Sequence, residues 1–276
     1  MDKNRSHNGS LRNALALSGK GLVFLAVGLL LVGWLLSVPP GLLGKADAVG
    51  YAVCHRIDLR SFHLGDRPLP LCSRCTGMYL GALLGLAFQE LASGRRAGLP
   101  SRRLMILLAV LAFAFAVDGL NSYLHLFPGA PSLYEPTNTM RLVTGTGMGL
   151  VVALFIYPAF NQSVWKAYDP SPALSGWRPV ISLLLLSLAI DWLVWIQNPF
   201  LLFLFGLISA LGVMVLLTMV YTIFWLMLLK QENRSQRWSQ LLLPLAMGFG
   251  TAMAQIAVLD LIRFALTGTW DGFHLG

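Results

Sequence analysis

The chain's three cysteines all lie in one short segment, "CHRIDLRSFHLGDRPLPLCSRCTG", which covers residues 54–77. Cys72 and Cys75 form a C-x-x-C motif, and 17 residues separate Cys54 from Cys72. The same segment holds two of the five histidines and four arginines. Because the thiolate form of cysteine binds metal ions and exchanges disulfides, this segment is the candidate reactive site of the chain.

The residue types of this segment match the four ligands of a structural zinc centre. Cys54, Cys72 and Cys75 would supply three thiolates, and either His55 or His63 the fourth ligand. The C-x-x-C has the spacing of a zinc knuckle, and its distance from Cys54 falls within the range of zinc ribbons. Spacing alone does not separate zinc from iron. We therefore predict a zinc or iron site that uses every cysteine.

Two other interpretations of the cysteines are open. In a membrane thiol-disulfide oxidoreductase, Cys72 and Cys75 would pass electrons to a quinone in the bilayer. The positive end of a helix, together with Arg74, would favour the thiolate that such an enzyme needs. A relay of this kind ordinarily uses a second cysteine pair, and only Cys54 is left to supply it. Alternatively, two cysteines form a plain disulfide, as in oxidising compartments.

The arginines of the segment suggest an anionic ligand. Arg56, Arg60 and Arg74 carry planar guanidinium groups that suit phosphate or carboxylate. With Thr144 from a later helix, they are the predicted substrate-binding residues for an anionic, lipid-soluble molecule such as a polyprenyl phosphate. A positively charged loop that rests on anionic lipid would have the same composition.

The composition is that of a polytopic membrane protein. Of 276 residues, 56% are hydrophobic and 12% are charged, whereas soluble proteins carry about 25% charged residues. Seven apolar stretches approach the roughly 20 residues that cross a bilayer, and all should be helical because lipid offers backbone groups no partner. They are Leu22–Val38, Ser73–Ser93, Leu104–Leu126, Leu142–Tyr157, Val180–Ile196, Phe200–Leu229 and Leu241–Leu266. The predicted fold is an all-α membrane bundle of about seven transmembrane helices in a single domain, 1–276.

The distribution of lysine and arginine predicts the orientation. Most of them lie in the N-terminal tail and in the loops after the second, fourth and sixth stretches, which is the pattern of a cytoplasmic face. The chain is therefore predicted to be N-in and C-out in the inner (plasma) membrane, with an extracytoplasmic loop at 39–75. The same rule accounts for the net charge of +8 without nucleic acid. Ala46-Asp47-Ala48 resembles a signal-peptide cleavage site but lies too far from the apolar run, so we expect the first helix to be retained.

Five ionisable residues fall in the predicted outer halves of the spans: Asp118, Arg141, Asp191, Asp260 and Arg263. Each costs about 2.5–3.5 kcal/mol to insert, so these residues should pair or line a cavity. We predict one polar pocket beneath the Cys/His loop, with Asp118 and Arg141 as catalytic residues. Alternatively, Asp118–Arg141 and Asp260–Arg263 are ion pairs that serve packing only.

Glycines recur every four residues on the second and fourth stretches, at Gly77, Gly81, Gly85, Gly145 and Gly149. Faces of small residues with this spacing let helices approach closely in lipid. The two helices are therefore expected to pack against each other, which would bring Cys75 close to Arg141 and Thr144.

The motifs "CHR", "RSF" and "PLCSRCTGMYLG" resemble the signature of a family of uncharacterised prokaryotic membrane proteins, classified as a domain of unknown function. The resemblance covers roughly 51–150 and includes Asp118 and the "RLVTG" at 141–145. It implies no particular activity, cofactor or substrate, and residues after about 160 fall outside it.

Together these features predict an integral membrane protein with an extracytoplasmic Cys/His metal site above an intramembrane Asp/Arg pocket. An anionic, lipid-soluble molecule would be its substrate. An enzyme and a non-catalytic accessory subunit of a larger membrane complex both fit this arrangement, and the subunit would co-purify with fixed partners.

Overall fold

The computed structural model describes residues 3–127 and 129–273, with side chains from Gly19 onward. Within these residues the fold is an all-α membrane bundle, as predicted. Its helices are α1 (Lys3–Ser37), α2 (Gly41–Val53), α3 (Ser73–Ser93), α4 (Arg102–Leu124), α5 (Asn138–Val164), α6 (Trp177–Trp195), α7 (Pro199–Leu228) and α8 (Leu242–Thr267). The basic side chains before Gly19, on which part of the predicted orientation depends, lie outside the described residues.

Six segments are long and apolar enough to cross a membrane. They are Gly19–Ser37, α4, α5, α6, α7 and Trp238–Thr267, the last of which joins a short 3₁₀ turn to α8. The seventh predicted span, α3, is not among these six segments because it is less apolar than they are. Its 21 residues nevertheless extend about 31 Å, which is enough to cross the hydrocarbon core.

The contacts at the two ends of the bundle show that α3 runs across it. Phe273 N donates to His55 O at 3.0 Å, and Arg56 Nη1 donates to Trp270 O at 3.1 Å. The end of α8 therefore lies on the same face as the cysteine segment, which we name the cysteine face. The chain between these two points passes through α3 to α8. An even number of crossings is needed to return to that face, and this requires α3 to cross as well.

Three loops meet on the opposite face. Strand β3 (Arg96–Gly98), which follows α3, pairs in parallel with β4 (Asp169–Pro172), which follows α5. Lys166 N also donates to Ser235 O at 2.9 Å and so joins the loop after α5 to the loop after α7. A second pair of strands, β1 (His63–Leu64) and β2 (Arg67–Pro68), forms an antiparallel hairpin on the cysteine face.

The sequence prediction missed α2. This helix has 13 residues, so it is too short to appear as a span. It follows the Pro39-Pro40 pair and packs against α7 and α8 through buried residues such as Ala46, Ala48 and Val49. The predicted loop at 39–75 is therefore partly helical, and its helix ends directly before Cys54.

The predicted glycine contact is confirmed between α3 and α5. A Cβ atom added to Gly77 would lie 2.2 Å from Leu142 O, and one added to Gly81 would lie 2.4 Å from Thr146 O. From the other helix, a Cβ on Gly145 would lie 2.1 Å from Arg74 O, and one on Gly149 would lie 2.1 Å from Met78 O. The two backbones are thus in direct contact, which makes α3 and α5 the central pair of the bundle.

We predict that Gly145→Ala destabilises the protein by about 1–3 kcal/mol, because the new methyl group cannot fit without moving one backbone. The matched control is Gly28→Ala on α1, where an added Cβ meets nothing within 4 Å. Thermal unfolding in detergent should show a lower Tm for Gly145→Ala only. Equal Tm values for the two variants would mean that α3 and α5 are not packed this closely.

Candidate metal centre and the adjoining arginine cavity

The three cysteines lie where two helices end and begin. Cys54 follows the last residue of α2, Cys72 precedes the first residue of α3, and Cys75 lies in the first turn of α3. A close approach brings these helix ends together, since a Cβ on Gly50 would lie 1.8 Å from Pro70 O. Glycine at residue 50 therefore allows the chain before Cys72 to pass directly over α2.

The cysteines and one histidine form a compact cluster. One ligand atom each from Cys54, His55 and Cys72 lie within 4.8 Å of one another. The backbone N of Cys72 donates to Cys54 Sγ at 3.4 Å, and the thiol of Cys75 lies near enough to Cys54 to affect its pKa. Cys54 and Cys72 are buried, whereas Cys75 is partly accessible, and none of the three is bridged by a disulfide.

The electrostatics of the cluster favour one thiolate. Hydrogen bonds from Cys72 and Cys75 hold the pKa of Cys54 well below its usual range. The pKa of Cys72 is raised to about 12, mainly by its interaction with Cys54 and also by burial. Burial lowers the pKa of His55, as do the positive charges of nearby arginines. These effects favour a thiolate at Cys54, protonated thiols at Cys72 and Cys75, and a neutral imidazole at His55.

The structure places only one of the two candidate histidines in the cluster. His55 Nδ1 accepts a hydrogen bond from Ile57 N at 3.0 Å. His63 lies on the β1–β2 hairpin, where its Nε2 meets Asp58 Oδ1 at 3.0 Å and more than a third of its side chain is exposed. His63 is therefore not brought near the cysteines.

Arg56 and Arg263 hold the backbone around Cys54. Arg56 pairs with Asp47 on α2 at 3.0 Å. Arg263 on α8 donates to Tyr51 O at 2.6 Å and to Cys54 O at 2.7 Å, and its guanidinium stacks on the Tyr51 ring. The alternative ion pair between Asp260 and Arg263 does not form in the structure. The holding roles of Asp47 and Arg263 were missed, and the only sequence signal for Arg263 was a cation within a span.

Asp118 is paired with Arg74 rather than with Arg141. Arg74 Nε donates to Asp118 Oδ2 at 3.1 Å, and Arg74 Nη2 contacts the same oxygen. Tyr134 Oη donates to Asp118 Oδ1 at 2.7 Å, and Thr144 Oγ1 donates to Oδ2 at 3.2 Å. The alternative Asp118–Arg141 ion pair does not form in the structure, because these three donors already occupy the buried carboxylate.

Tyr134, which the sequence analysis did not single out, acts as a donor in this network. Burial, together with the hydrogen bond to Asp118, raises the pKa of Tyr134 to about 12. Its hydroxyl therefore stays protonated and keeps donating to the carboxylate at neutral pH. No motif marks this residue, since it lies in the loop between α4 and α5.

Arg60 and Arg141 border an open cavity on the cysteine face. The cavity has a volume of about 550 Å³. Its lining residues are Ile57, Leu59, Arg60, Tyr123, His125, Leu126, Phe127, Pro136 and Arg141. Of the predicted substrate-binding residues, only Arg60 lines this cavity. The side chains of Arg56, Arg74 and Thr144 instead contact Asp47 or Asp118.

The predicted single pocket for all five intramembrane charges is also wrong. Asp191 accepts a hydrogen bond from Thr146 at 2.6 Å between α6 and α5. Asp260 accepts one from Trp34 Nε1 at 2.9 Å between α8 and α1. Asp118 belongs to the separate α3–α4 network described above. The charges were predicted at one depth, but they face different neighbours around the bundle.

The cluster and the cavity both lie in the part of the chain that is similar to known proteins. Residues 54–155 match the family described as "Predicted membrane protein (DUF2085)". An uncharacterized protein of Methanocaldococcus jannaschii is 26% identical over 121 residues, which are 44% of this chain and 72% of the relative. An uncharacterized protein of Methanothermobacter thermautotrophicus is 31% identical over 102 residues, which are 36% of this chain and 82% of the relative.

No solved structure matches the chain. The matched residues begin at Cys54, and they include the whole C-x-x-C segment, Asp118, Arg141 and the α3–α5 glycines. Both the candidate metal ligands and the arginine cavity thus fall within the matched part. The chain belongs to the family of predicted membrane proteins described as DUF2085.

Proposed function

We propose that Cys54, His55, Cys72 and Cys75 bind a zinc-type metal ion at the extracytoplasmic surface of the inner membrane. The observation that carries this proposal is the convergence of Cys54, His55 and Cys72 from two separate helix ends, with Cys75 beside Cys54. Three sulfur ligands and one nitrogen are a donor set that structural zinc sites use. Iron is compatible with the same donors.

The surroundings of the cluster support a bound cation with anionic ligands. Cys72 and Cys75 would lose their protons on binding, as ligands of such sites do. Three thiolates around a divalent ion leave one net negative charge, and Arg60, Arg74 and Arg141 lie near enough to lower the pKa of His55. These guanidinium groups would stabilise the negative centre.

His55 would have to change its hydrogen bonding in order to bind. In the structure its Nδ1 accepts from Ile57 N, so the proton of the neutral ring lies on Nε2. Binding through Nδ1 replaces the Ile57 hydrogen bond with a metal bond and leaves the proton on Nε2. This is a local change of one ring and needs no rearrangement of the helices.

We propose a structural role for the metal, because four protein ligands leave no open coordination position. The ion would tie the end of α2 to the beginning of α3 and fix the segment that carries Arg60. The protein would then act on, or hold, an anionic lipid-soluble molecule at the neighbouring cavity. In this proposal Asp118 positions Arg74, and Arg141 contacts the ligand.

One observation favours the thiol oxidoreductase as a second candidate. Cys54 and Cys72 pack in the same apolar core as Trp34, and Trp34 lines a cavity of about 470 Å³ between α1 and α8. Oxidation of Cys72 and Cys75 to a disulfide would transfer two electrons and two protons to a quinone bound there, giving a quinol. A reversible Cys72–Cys75 bridge would support this candidate.

The histidine ligand gives a direct test of the metal proposal. His55→Ala should weaken zinc binding by more than the roughly 10–100-fold that follows removal of a ligand's hydrogen-bond partner. The matched control is His63→Ala, which alters the same segment outside the cluster and should leave affinity unchanged. Competition with a chromogenic chelator measures both. Equal loss in the two variants, or none in either, would contradict the assigned ligand set.

A further inference from the structure

Among the arginines near the cysteine cluster, Arg56, Arg60, Arg74 and Arg141 differ in how their charge is neutralised. Arg56 pairs with Asp47, and Arg74 pairs with Asp118. Within the part of the chain that the structure describes, Arg60 and Arg141 have no carboxylate within 4.0 Å. Their hydrogen bonds go to neutral groups, since Arg60 donates to Ser122 O and Arg141 to Asn138 Oδ1.

The burial of Arg141 in particular does not stabilise the fold. Only 6% of the residue is exposed, and its Nε atom is buried without a hydrogen-bond partner. It also lies among the first four residues of α5, where the helix dipole disfavours a positive charge. A buried cation with an unused donor is costly unless an anion comes to it.

The cavity that these two arginines border has an amphipathic lining. Arg60, Arg141 and the exposed His125 supply polar donors. Tyr123 and Phe127 supply an apolar rim. Their exposed rings contact each other, with ring centroids 5.3 Å apart. This rim lies at the end of α4, where the span meets the membrane surface.

We infer that the Arg60–Arg141 cavity binds a phosphate group, and that the apolar rim selects a phosphate carried by a membrane amphiphile. Two guanidinium forks that border the same cavity could bind one anion there, and phosphate offers enough oxygen atoms for both. The cavity is large enough for a lipid headgroup, while Tyr123 and Phe127 would contact the first part of its chain. The inference deepens the function proposed above, because the metal would fix the segment that carries Arg60.

The test uses the full-length protein in a neutral maltoside detergent, titrated calorimetrically with dodecyl phosphate and, separately, with inorganic phosphate. We expect dodecyl phosphate to bind. Arg60→Gln and Arg141→Gln should each weaken this binding by about tenfold or more, as expected when a charge-assisted hydrogen-bond donor is lost. The control Arg102→Gln, an exposed arginine at the start of α4 on the opposite face, should bind like the wild type.

The outcomes separate the possible sources of the phosphate. Tighter binding of dodecyl phosphate than of inorganic phosphate supports a lipid headgroup, whereas equal, arginine-dependent binding of both assigns the cavity to free phosphate. Absence of binding, or affinities unchanged in both arginine variants, would overturn the inference. Size-exclusion profiles show whether each variant is folded. If Arg141→Gln does not fold, the Arg60→Gln variant alone tests the inference, because Arg60 is only half-buried. Zinc measured in the same samples shows separately whether the metal proposal holds.

Discussion

Cys54→Ser should remove the bound metal and lower the Tm of the protein. Cys54 lies within 4.8 Å of a ligand atom of both His55 and Cys72, and its sulfur accepts from Cys72 N. Serine is a poor ligand for zinc, so the site would lose its most acidic donor. If the metal is present at about 1,000 times its Kd, loss of binding removes about 4 kcal/mol of stability. Elemental analysis and thermal unfolding in detergent measure the two effects.

The matched control for this variant is Ser73→Ala. Ser73 lies between the ligands Cys72 and Cys75, and its buried hydroxyl has no hydrogen-bond partner. Removal of that hydroxyl should leave both metal content and Tm close to the wild type. Full metal content in Cys54→Ser would exclude the three-thiolate site, while loss in both variants would indicate general damage to the segment.

Asp118→Ala should lower the free energy of unfolding by about 3–5 kcal/mol, because it leaves the Arg74 cation without its buried partner. Three side chains lose their acceptor at once, namely Arg74, Tyr134 and Thr144. Since these donors come from α3, α5 and the loop between α4 and α5, the loss should loosen the central helices. Thermal and chemical unfolding in detergent give the difference.

Asp58→Ala is the control for that prediction. Asp58 is 67% exposed and pairs only with His63, so its removal should change stability by at most about 1 kcal/mol. Metal content should stay at the wild-type level in both variants, because neither carboxylate lies in the cluster. Equal stability of the two variants would mean that Arg74 finds another partner, and metal loss in Asp118→Ala would point to a ligand role.

Much of the fold was predictable because hydrophobic length and glycine spacing are local signals. The stretch Ser73–Ser93 was predicted with the bounds that α3 has. The helix α5 was predicted too short, since Pro158 lies inside it. A proline is tolerated within a membrane helix when neighbouring helices and local adjustments satisfy the freed backbone group.

The candidate site was predictable only in part. The C-x-x-C spacing joins Cys72 to Cys75, but Cys54 reaches them through α2 and the contact of Gly50 with Pro70 O. Whether His55 or His63 belongs to the cluster depends on the hairpin that turns His63 toward Asp58. Neither feature has a signal in the spacing of the ligands.

The charges within the membrane illustrate a limit of a different kind. Sequence gives the depth of Asp118 and Arg141, and the glycines predict that α3 meets α5. It does not give the rotation of α4, which turns Asp118 toward Arg74. Among the described residues Arg141 has no carboxylate partner, and this follows from the pairing of Asp118 with Arg74, which the sequence does not reveal.

Elemental analysis of the purified full-length protein, combined with a count of free thiols after denaturation, tests the metal centre most directly. We predict about one zinc or iron ion per chain, as expected for a site with four protein ligands, and three titratable thiols. The absence of metal together with a single free thiol would contradict it, because two of the cysteines would then be joined in a disulfide.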